Sequence, residues 1–409
     1  MTASGPFVIV GGGLAGAKAA ETLRTEGFDG PVVLVAGEEE LPYERPPLSK
    51  GYLLGTAERD SARVHAADWY ADSGVELRTG VRATHLDPAT HRLTLEDGEE
   101  LPYAKLLLAT GSSARRLPVP GGDLDGVRYL RTVADSDRLL ADLSGGGRRL
   151  VIVGAGWIGL EVAAAARHYG NHVTIVEPQP TPLHGALGPE MGAVFAGLHR
   201  SHGVDLFTDT VVRELRGADG RVQSVATDQH AGLPADVVVV GVGATPNVDL
   251  AASAGLEVDN GVVTDHALRT SAPDVFAAGD VASSFHPLYG RYVRVEHWAN
   301  ALNGGPAAAR SMLGQEVTYD RVPFFLTDQY DLGMEYSGLG GPRDTVVTRG
   351  NPEDGEFIAF WLSDGRVTAG MNVNVWDVTE PIQQLIRMRR HVPPASLADP
   401  DTPLDRLTA

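Results

Sequence analysis

Phe7-Val8-Ile9-Val10-Gly11-Gly12-Gly13-Leu14-Ala15-Gly16 is an apolar, β-branched run that ends in G-x-G-x-x-G and leads into alanine-rich sequence. Leu150-Val151-Ile152-Val153-Gly154-Ala155-Gly156-Trp157-Ile158-Gly159 repeats the pattern in the middle of the chain. Each reads as strand, tight turn and helix. The first glycine permits the turn, the second lets backbone approach a pyrophosphate, and the third packs helix on strand. The helix N-terminus offers unpaired N–H groups and a positive dipole end to the phosphates. For a single copy, a ligand-free turn is the alternative reading. Two copies, each in strand–turn–helix context, favour two bound dinucleotides and electron transfer between them.

The strand after each motif tests it, because a carboxylate there accepts hydrogen bonds from a ribose diol. His172-Val173-Thr174-Ile175-Val176 ends in Glu177. Val32-Val33-Leu34-Val35-Ala36 runs into Gly37-Glu38, so Glu38 takes that place in the first copy. A solvated strand-end charge is the other reading, and for Glu38 it stays open.

With 409 residues the chain is too long for one compact core, and two or three domains are expected. It is 43% hydrophobic and 21% charged, the balance of a globular protein. A formal net charge of −19 argues against nucleic acid or an anionic membrane as partner. No apolar stretch approaches the ~20 residues that span a bilayer. The first strand begins almost at once, and a cytoplasmic location is expected. The chain has no cysteine. Redox disulfides, cysteine sulfenic acids and thiolate-held clusters are therefore excluded, and any redox centre is expected to be a bound organic cofactor. The histidines show no metal-site spacing; His199 and His202 share a helix face without completing a ligand set, and no metal is expected. Hydrolase and nucleoside-triphosphatase motifs are missing.

Between the glycine motifs, Pro42 to Lys50 is too proline-rich for regular helix and holds Arg45 and Lys50 close to the first turn. Leu106 to Ser113 reads as a buried strand ending in the small turn Ala109-Thr110-Gly111. Asp236 to Pro246 echoes it, which suggests an internal duplication. Val275-Phe276-Ala277-Ala278-Gly279-Asp280 is a third strand closed by a small turn and a carboxylate. Val293 to Gly314 reads as largely helical. Residues 322–392 predict an antiparallel sheet followed by a helix at 379–390, and the last fifteen residues a loose tail.

With Arg45-Pro46-Pro47-Leu48-Ser49-Lys50, Ala109-Thr110-Gly111, Gly154 to Glu161 and Ala277-Ala278-Gly279-Asp280 in hand, the chain resembles the oxygenase-coupled NADH-dependent ferredoxin reductases over nearly its whole length. The resemblance implies an α/β protein with two Rossmann-like dinucleotide-binding domains in a glutathione-reductase-like arrangement, plus an α+β C-terminal domain. It implies an FAD domain split over 1–114 and 247–321, an NAD domain at 115–246 and the C-terminal domain at 322–409.

Carried over by residue, the resemblance gives Gly11, Gly13, Ala15 and Gly16 the FAD pyrophosphate. Glu38 takes the adenosine ribose and Ala83 the adenine half. Arg45 and Arg131 approach the cofactor, as do Ala109, Thr110, Gly111 and Gly279. Asp280 accepts from the ribityl hydroxyls and Trp298 contacts the ring. Gly154, Gly156, Gly159 and Glu177 bind NADH. Lys50 lies near the reactive edge of the flavin and Glu161 pairs with it. The pairing has a physical basis, because a fixed ammonium favours hydride acceptance and, once buried, needs a partner. Read from the residues alone, Lys50 is equally a loop lysine and Glu161 an ordinary helix residue.

Three positions depart from the family pattern: Gly37 at the end of the second strand, Pro306 and Leu326. Glu177 is followed by Pro178-Gln179-Pro180 with no Arg or Lys close behind, which predicts NADH over NADPH. The expected partner is a ferredoxin serving an oxygenase. Arg310 and the basic run Arg387 to His391 are candidate docking cations, although the run equally suits a helix C-terminus. Alternatives are an NADH:acceptor reductase using rubredoxin, a quinone or oxygen, and a redox-responsive binding flavoprotein. Monomer and homodimer both stay open.

Overall fold

The computed structural model describes residues 5–341 and 343–407. They form two compact units: Met1–Glu44, Asp60–Ser113 and Thr245–Pro323 in one, and Arg45–Arg59, Ala114–Ala244 and Phe324–Ala409 in the other.

The first unit is built on a five-stranded parallel sheet. Its order is Val275–Ala277, Lys105–Leu108, Phe7–Val10, Val32–Val35, Val75–Arg78. The central strand Phe7–Val10 is buried along its length, as a parallel strand covered on both faces must be. One face packs against the helix Leu14–Thr25, whose alanines let it lie close to the strands. The helix Trp298–Met312 packs on that helix in turn. A β-carbon on Gly305 would stand 2.2 Å from the Ala15 carbonyl oxygen, so only glycine permits this approach. The helical expectation for 293–314 is shortened at its start, where Arg291–Val293 is a strand. A three-stranded antiparallel sheet, Ala83–Asp87, Arg92–Leu95 and Glu100–Pro102, contributes to the core of the opposite face.

The second unit repeats the design. Its parallel sheet runs Val204–Phe207, His172–Val176, Arg149–Val153, Val237–Val240, Val127–Arg128. The four main strands occupy equivalent places in the two sheets. The fifth place differs: it is filled from later sequence in the first sheet and from earlier sequence in the second. The duplication suggested by Asp236 to Pro246 is thus present in topology, with one strand recruited from the other direction.

An antiparallel sheet follows, in the order Phe324–Gln329, Leu332–Gly338, Arg366–Val373, Glu356–Ser363, Thr345–Asn351. The amphipathic helix Thr379–Met388 buries Ile382, Leu385 and Ile386, and it packs on the strands Arg366–Val373 and Leu332–Gly338. Arg387 lies in its last turn and Arg389 closes it in left-handed conformation, so the basic run does sit at a helix C-terminus.

The loose tail is corrected for the described residues. Pro394–Ala398 is helical and Leu404–Leu407 forms a 3₁₀ turn. Leu397 and Leu404 are buried, and the Arg349 guanidinium donates to the carbonyls of Pro400 and Thr402. Two well-spaced leucines and one distant arginine anchor this segment despite its polar composition. Residues 408 and 409 lie outside the described residues.

Candidate active site

The two glycine turns have nearly the same geometry. Gly11 and Gly154 both take positive φ, +127° and +101°. A β-carbon on Gly11 would lie 2.0 Å from the Ala109 oxygen, and one on Gly154 2.5 Å from the Gly241 oxygen. On Gly16 it would lie 2.1 Å from the Gly11 oxygen, and on Gly159 2.2 Å from the Gly154 oxygen. First and third glycines are thus wedged against backbone. The middle glycines are not: Gly13 has nothing within 4 Å and Gly156 has its nearest neighbour at 3.9 Å. Gly13 and Gly156 are also the N-caps of the helices Leu14–Thr25 and Trp157–His168, and no side chain caps either helix. Each turn therefore presents open space to uncapped helical N–H groups, with no acidic residue in the first turn. That cradle fits a pyrophosphate.

Around the first cradle, Ala109 donates its N–H to Val10, bringing the turn Ala109-Thr110-Gly111 against the glycine loop. Thr110 and Asn247 exchange hydrogen bonds, and Asn247 N–H donates to the Gly111 carbonyl. Asp280 is buried and accepts from Ser112 Oγ at 2.8 Å. Gly279, in the same turn, has φ +78° and faces Ala15. Trp298 opens its helix and donates its indole N–H to Glu44 at 3.0 Å. Ala83 starts its antiparallel strand, half-buried. Glu38 accepts from the Tyr43 hydroxyl at 2.5 Å. Arg310 pairs with Glu26 at 2.8 Å, which gives that candidate docking cation a partner within its own unit.

In the second unit Glu177 closes onto its own glycine turn. Its Oε2 accepts from the Ala155 N–H at 2.6 Å and its Oε1 from the Gln179 N–H at 2.9 Å. One lone pair on each oxygen is left for a ligand. The carboxylates expected to be analogous are therefore held differently, Glu177 by backbone amides and Glu38 by a tyrosine. Arg45 donates to the Arg131 carbonyl, which joins two of the expected cofactor contacts. Arg131 precedes Thr132, the N-cap of the helix Val133–Leu143, whose first turn is fixed by a capping box between Thr132 and Asp135.

Lys50 and Glu161 come together in the same unit. Lys50 Nζ lies 2.7 Å from Glu161 Oε1, with the carboxylate side chain only 4% exposed. The 3₁₀ turn Pro46–Ser49 delivers Lys50, and the helix Trp157–His168 presents Glu161 one turn beyond the glycine loop. Two further donors satisfy the carboxylate: Ser49 Oγ at 2.5 Å and Thr327 Oγ at 2.6 Å. Nothing in the sequence around Thr327 signals this contact. Only the alternation of its strand hints at it, because Thr327 and Gln329 face inward while Leu326 is exposed.

His199 and His202 belong to this neighbourhood. His199 is fully buried and bonds Gln329 at 2.9 Å and Tyr330 at 3.2 Å. The His202 ring stacks on Tyr330 at 3.7 Å. Burial depresses the His199 pKa from 6.5 to about 4, with the Gln329 hydrogen bond opposing and nearby His202 adding to the fall. The unfolded chain takes up this proton below pH 6.5 while the folded chain does not. Stability held above pH 6.5 is therefore lost as pH falls to 4, by about 3 kcal/mol from this group. Urea titrations at pH 7 and 4.5 should show His199→Gln losing less stability across the interval than the parent. Equal losses would contradict the assignment.

Residues 5–305 match the pyridine nucleotide-disulphide oxidoreductase family, and residues 324–408 match the C-terminal domain of reductases. The ferredoxin–NAD(+) reductase component of an anthranilate 1,2-dioxygenase system from Burkholderia cepacia is 44% identical, over 97% of both chains. Putidaredoxin reductase of Pseudomonas putida is 37% identical over 100% of this chain and 98% of its own. The crystal structure of a covalent putidaredoxin reductase–putidaredoxin complex matches with a TM-score of 0.95 at 36% identity, covering 99% of this chain and 98% of that one. Among the described residues, no helix is long and apolar enough to cross a membrane.

Proposed function

The chain belongs to the pyridine nucleotide-disulphide oxidoreductase family and, within it, to the FAD- and NAD(H)-dependent ferredoxin reductases, and from that premise we propose that it takes hydride from NADH and passes single electrons to a ferredoxin serving an oxygenase. The observation that carries this is the pair of matching pyrophosphate cradles in a chain with no cysteine. The chain has places for two dinucleotides and no thiol relay, so a bound flavin would pass on electrons without one. Disulfide chemistry, part of the family's description, is not available to it.

FAD, when bound, supplies the hydride-accepting ring and releases electrons one at a time. The protein's share is binding, orientation and electrostatics. The same reading assigns 1–114 with 247–321 to FAD, 115–246 to NAD and 322–409 to the C-terminal domain. Gly11, Gly13, Ala15 and Gly16 cradle the FAD pyrophosphate; Glu38, Ala83, Ala109, Thr110, Gly111, Gly279, Asp280 and Trp298 complete that site from the same unit. The family likeness adds Arg45, Arg131 and Lys50 as further FAD contacts. Gly154, Gly156 and Gly159 hold the nicotinamide dinucleotide, and Glu177 selects the form with a free 2′-hydroxyl. Lys50 keeps an ammonium fixed by Glu161, ready to stabilise negative charge without reorganising. A cytoplasmic location, where NADH is regenerated, belongs to the same proposal.

The test is a spectrum of the purified protein followed by NADH titration with iron–sulfur partners. Flavin absorbance, rapid bleaching by NADH and catalytic reduction of a ferredoxin are expected. Fully folded protein that cannot be loaded with flavin would overturn the reading. Bleaching with a long-lived reduced complex and no transfer to any ferredoxin would favour the redox-responsive binding protein instead.

A further inference from the structure

The carboxylate of Glu161 fixes the direction of a hydrogen-bond chain that runs away from it into the core. A carboxylate only accepts, so Thr327 must spend its hydroxyl proton on Glu161 Oε1. The Thr327 oxygen is then the acceptor for Gln329, whose amide Nε2 lies at 3.2 Å. That orientation leaves Gln329 Oε1 facing His199 Nε2 at 2.9 Å, an acceptor that requires the proton on Nε2. His199 Nδ1 is consequently unprotonated and accepts from the Tyr330 hydroxyl at 3.2 Å. Every donor points toward Glu161. Thr327, Gln329 and His199 are 0%, 1% and 0% exposed, so these bonds are shielded from bulk solvent. The stacked His202 ring covers Tyr330, which begins the chain.

We infer that Thr327, Gln329 and His199 are positioning residues that hold the Glu161 carboxylate, and through it the Lys50 ammonium, in one orientation for hydride transfer. The inference rests on the flavin-reductase reading for its effect on rate, and on the geometry alone for the direction of the chain. Three donors converge on Glu161: Lys50, Ser49 and Thr327. Ser49 and Lys50 are neighbours at the end of one 3₁₀ turn. Thr327 comes from a separate strand, so it is the contact that stops the carboxylate following that turn. Gln329 sits two residues along the same strand face and keeps the Thr327 hydroxyl turned toward Glu161. The neutral state of His199, favoured by its burial, is the one the chain needs.

The experiment uses flavin-loaded protein labelled with ¹⁵N-histidine. At pH 7, His199, assigned by its loss in His199→Gln, is expected as the neutral tautomer protonated on Nε2. In stopped flow, Thr327→Val is expected to slow NADH-driven flavin reduction about tenfold, the effect of one hydrogen bond, with the NADH dissociation constant within about twofold of the parent. Thr327→Ser restores the hydroxyl and should restore the rate to within about twofold. An Nδ1-protonated His199 would overturn the direction of the chain, and this result does not depend on any variant folding. An unchanged rate in Thr327→Val, or a serine variant as slow as valine, would overturn the positioning role. If the parent protein binds flavin but NADH never reduces it, the functional reading fails, while the tautomer still decides the chain.

Discussion

Replacing Lys50 by methionine is expected to slow NADH-driven flavin reduction by about 10²–10³-fold and to lower the unfolding free energy by about 3 kcal/mol. The two effects have separate origins. On the proposed reading the rate falls because a fixed positive charge that favours hydride acceptance is lost, and such preorganised groups are worth about that much when removed singly. The stability falls because Glu161, only 4% exposed, loses its cationic partner and retains just the Ser49 and Thr327 hydroxyls. Glu161→Gln should behave differently. Lys50 is 16% exposed and sits on a loop, so its ammonium can turn partly toward water when its partner is lost. The stability cost should then be smaller, while the rate still falls because the ammonium is no longer held in place. The double variant Lys50→Met/Glu161→Gln should recover most of the stability and none of the rate. Chemical denaturation and stopped-flow reduction measure the two quantities independently. A double variant that regained the rate would show the pair to be structural only. Lys50→Met as fast as the parent would remove it from the reaction.

That experiment depends on a contact the sequence displayed only in part. The glycine turns were legible because their chemistry is local: wedged first and third glycines and an open middle one follow from strand–turn–helix sequence. The antiparallel sheet at 324–373 and the helix after it were legible from apolar patterning. Lys50 and Glu161 were paired through a family likeness, not through spacing, since they stand 111 residues apart. Thr327 was legible only as an inward-facing strand position. Its bond to Glu161 spans 166 residues, and a threonine in a strand carries no signature of an ion-pair partner. The same holds for Gln329 and His199, 130 residues apart. The chain's end was misjudged for a related reason: Asp and Pro dominate its composition, while its fixation depends on Arg349 from a distant strand. What escaped the sequence was side-chain hydrogen bonding between segments, where identity and period say little. What it displayed was backbone geometry and the burial of apolar faces.

Glu177→Ala combined with Gln179→Arg is expected to raise the KM for NADH by about 100-fold and to move the NADH-to-NADPH preference by about 10³-fold. Glu177 does two jobs at once. Its charge and its two remaining lone pairs suit a ribose diol and repel a 2′-phosphate. Its bond to the Ala155 N–H also braces the second glycine turn, the one the proposed reading gives to the NADH pyrophosphate. Alanine removes both, so NADH binding should fall by more than the ribose contacts alone. The arginine supplies the charge that a 2′-phosphate needs, without disturbing the Gln179 N–H, which is backbone. Gln179→Arg by itself keeps the carboxylate and the brace, and its preference should move less than about tenfold. FAD content should be unchanged in every variant, because Glu177 belongs to the second glycine turn and the first is intact. Steady-state kcat/KM with both coenzymes, together with the flavin-to-protein absorbance ratio, reads all of this. A double variant that still discriminates as the parent does would mean that the 2′-hydroxyl is read elsewhere. A variant that loses flavin would mean that the second glycine turn does not serve the nicotinamide coenzyme.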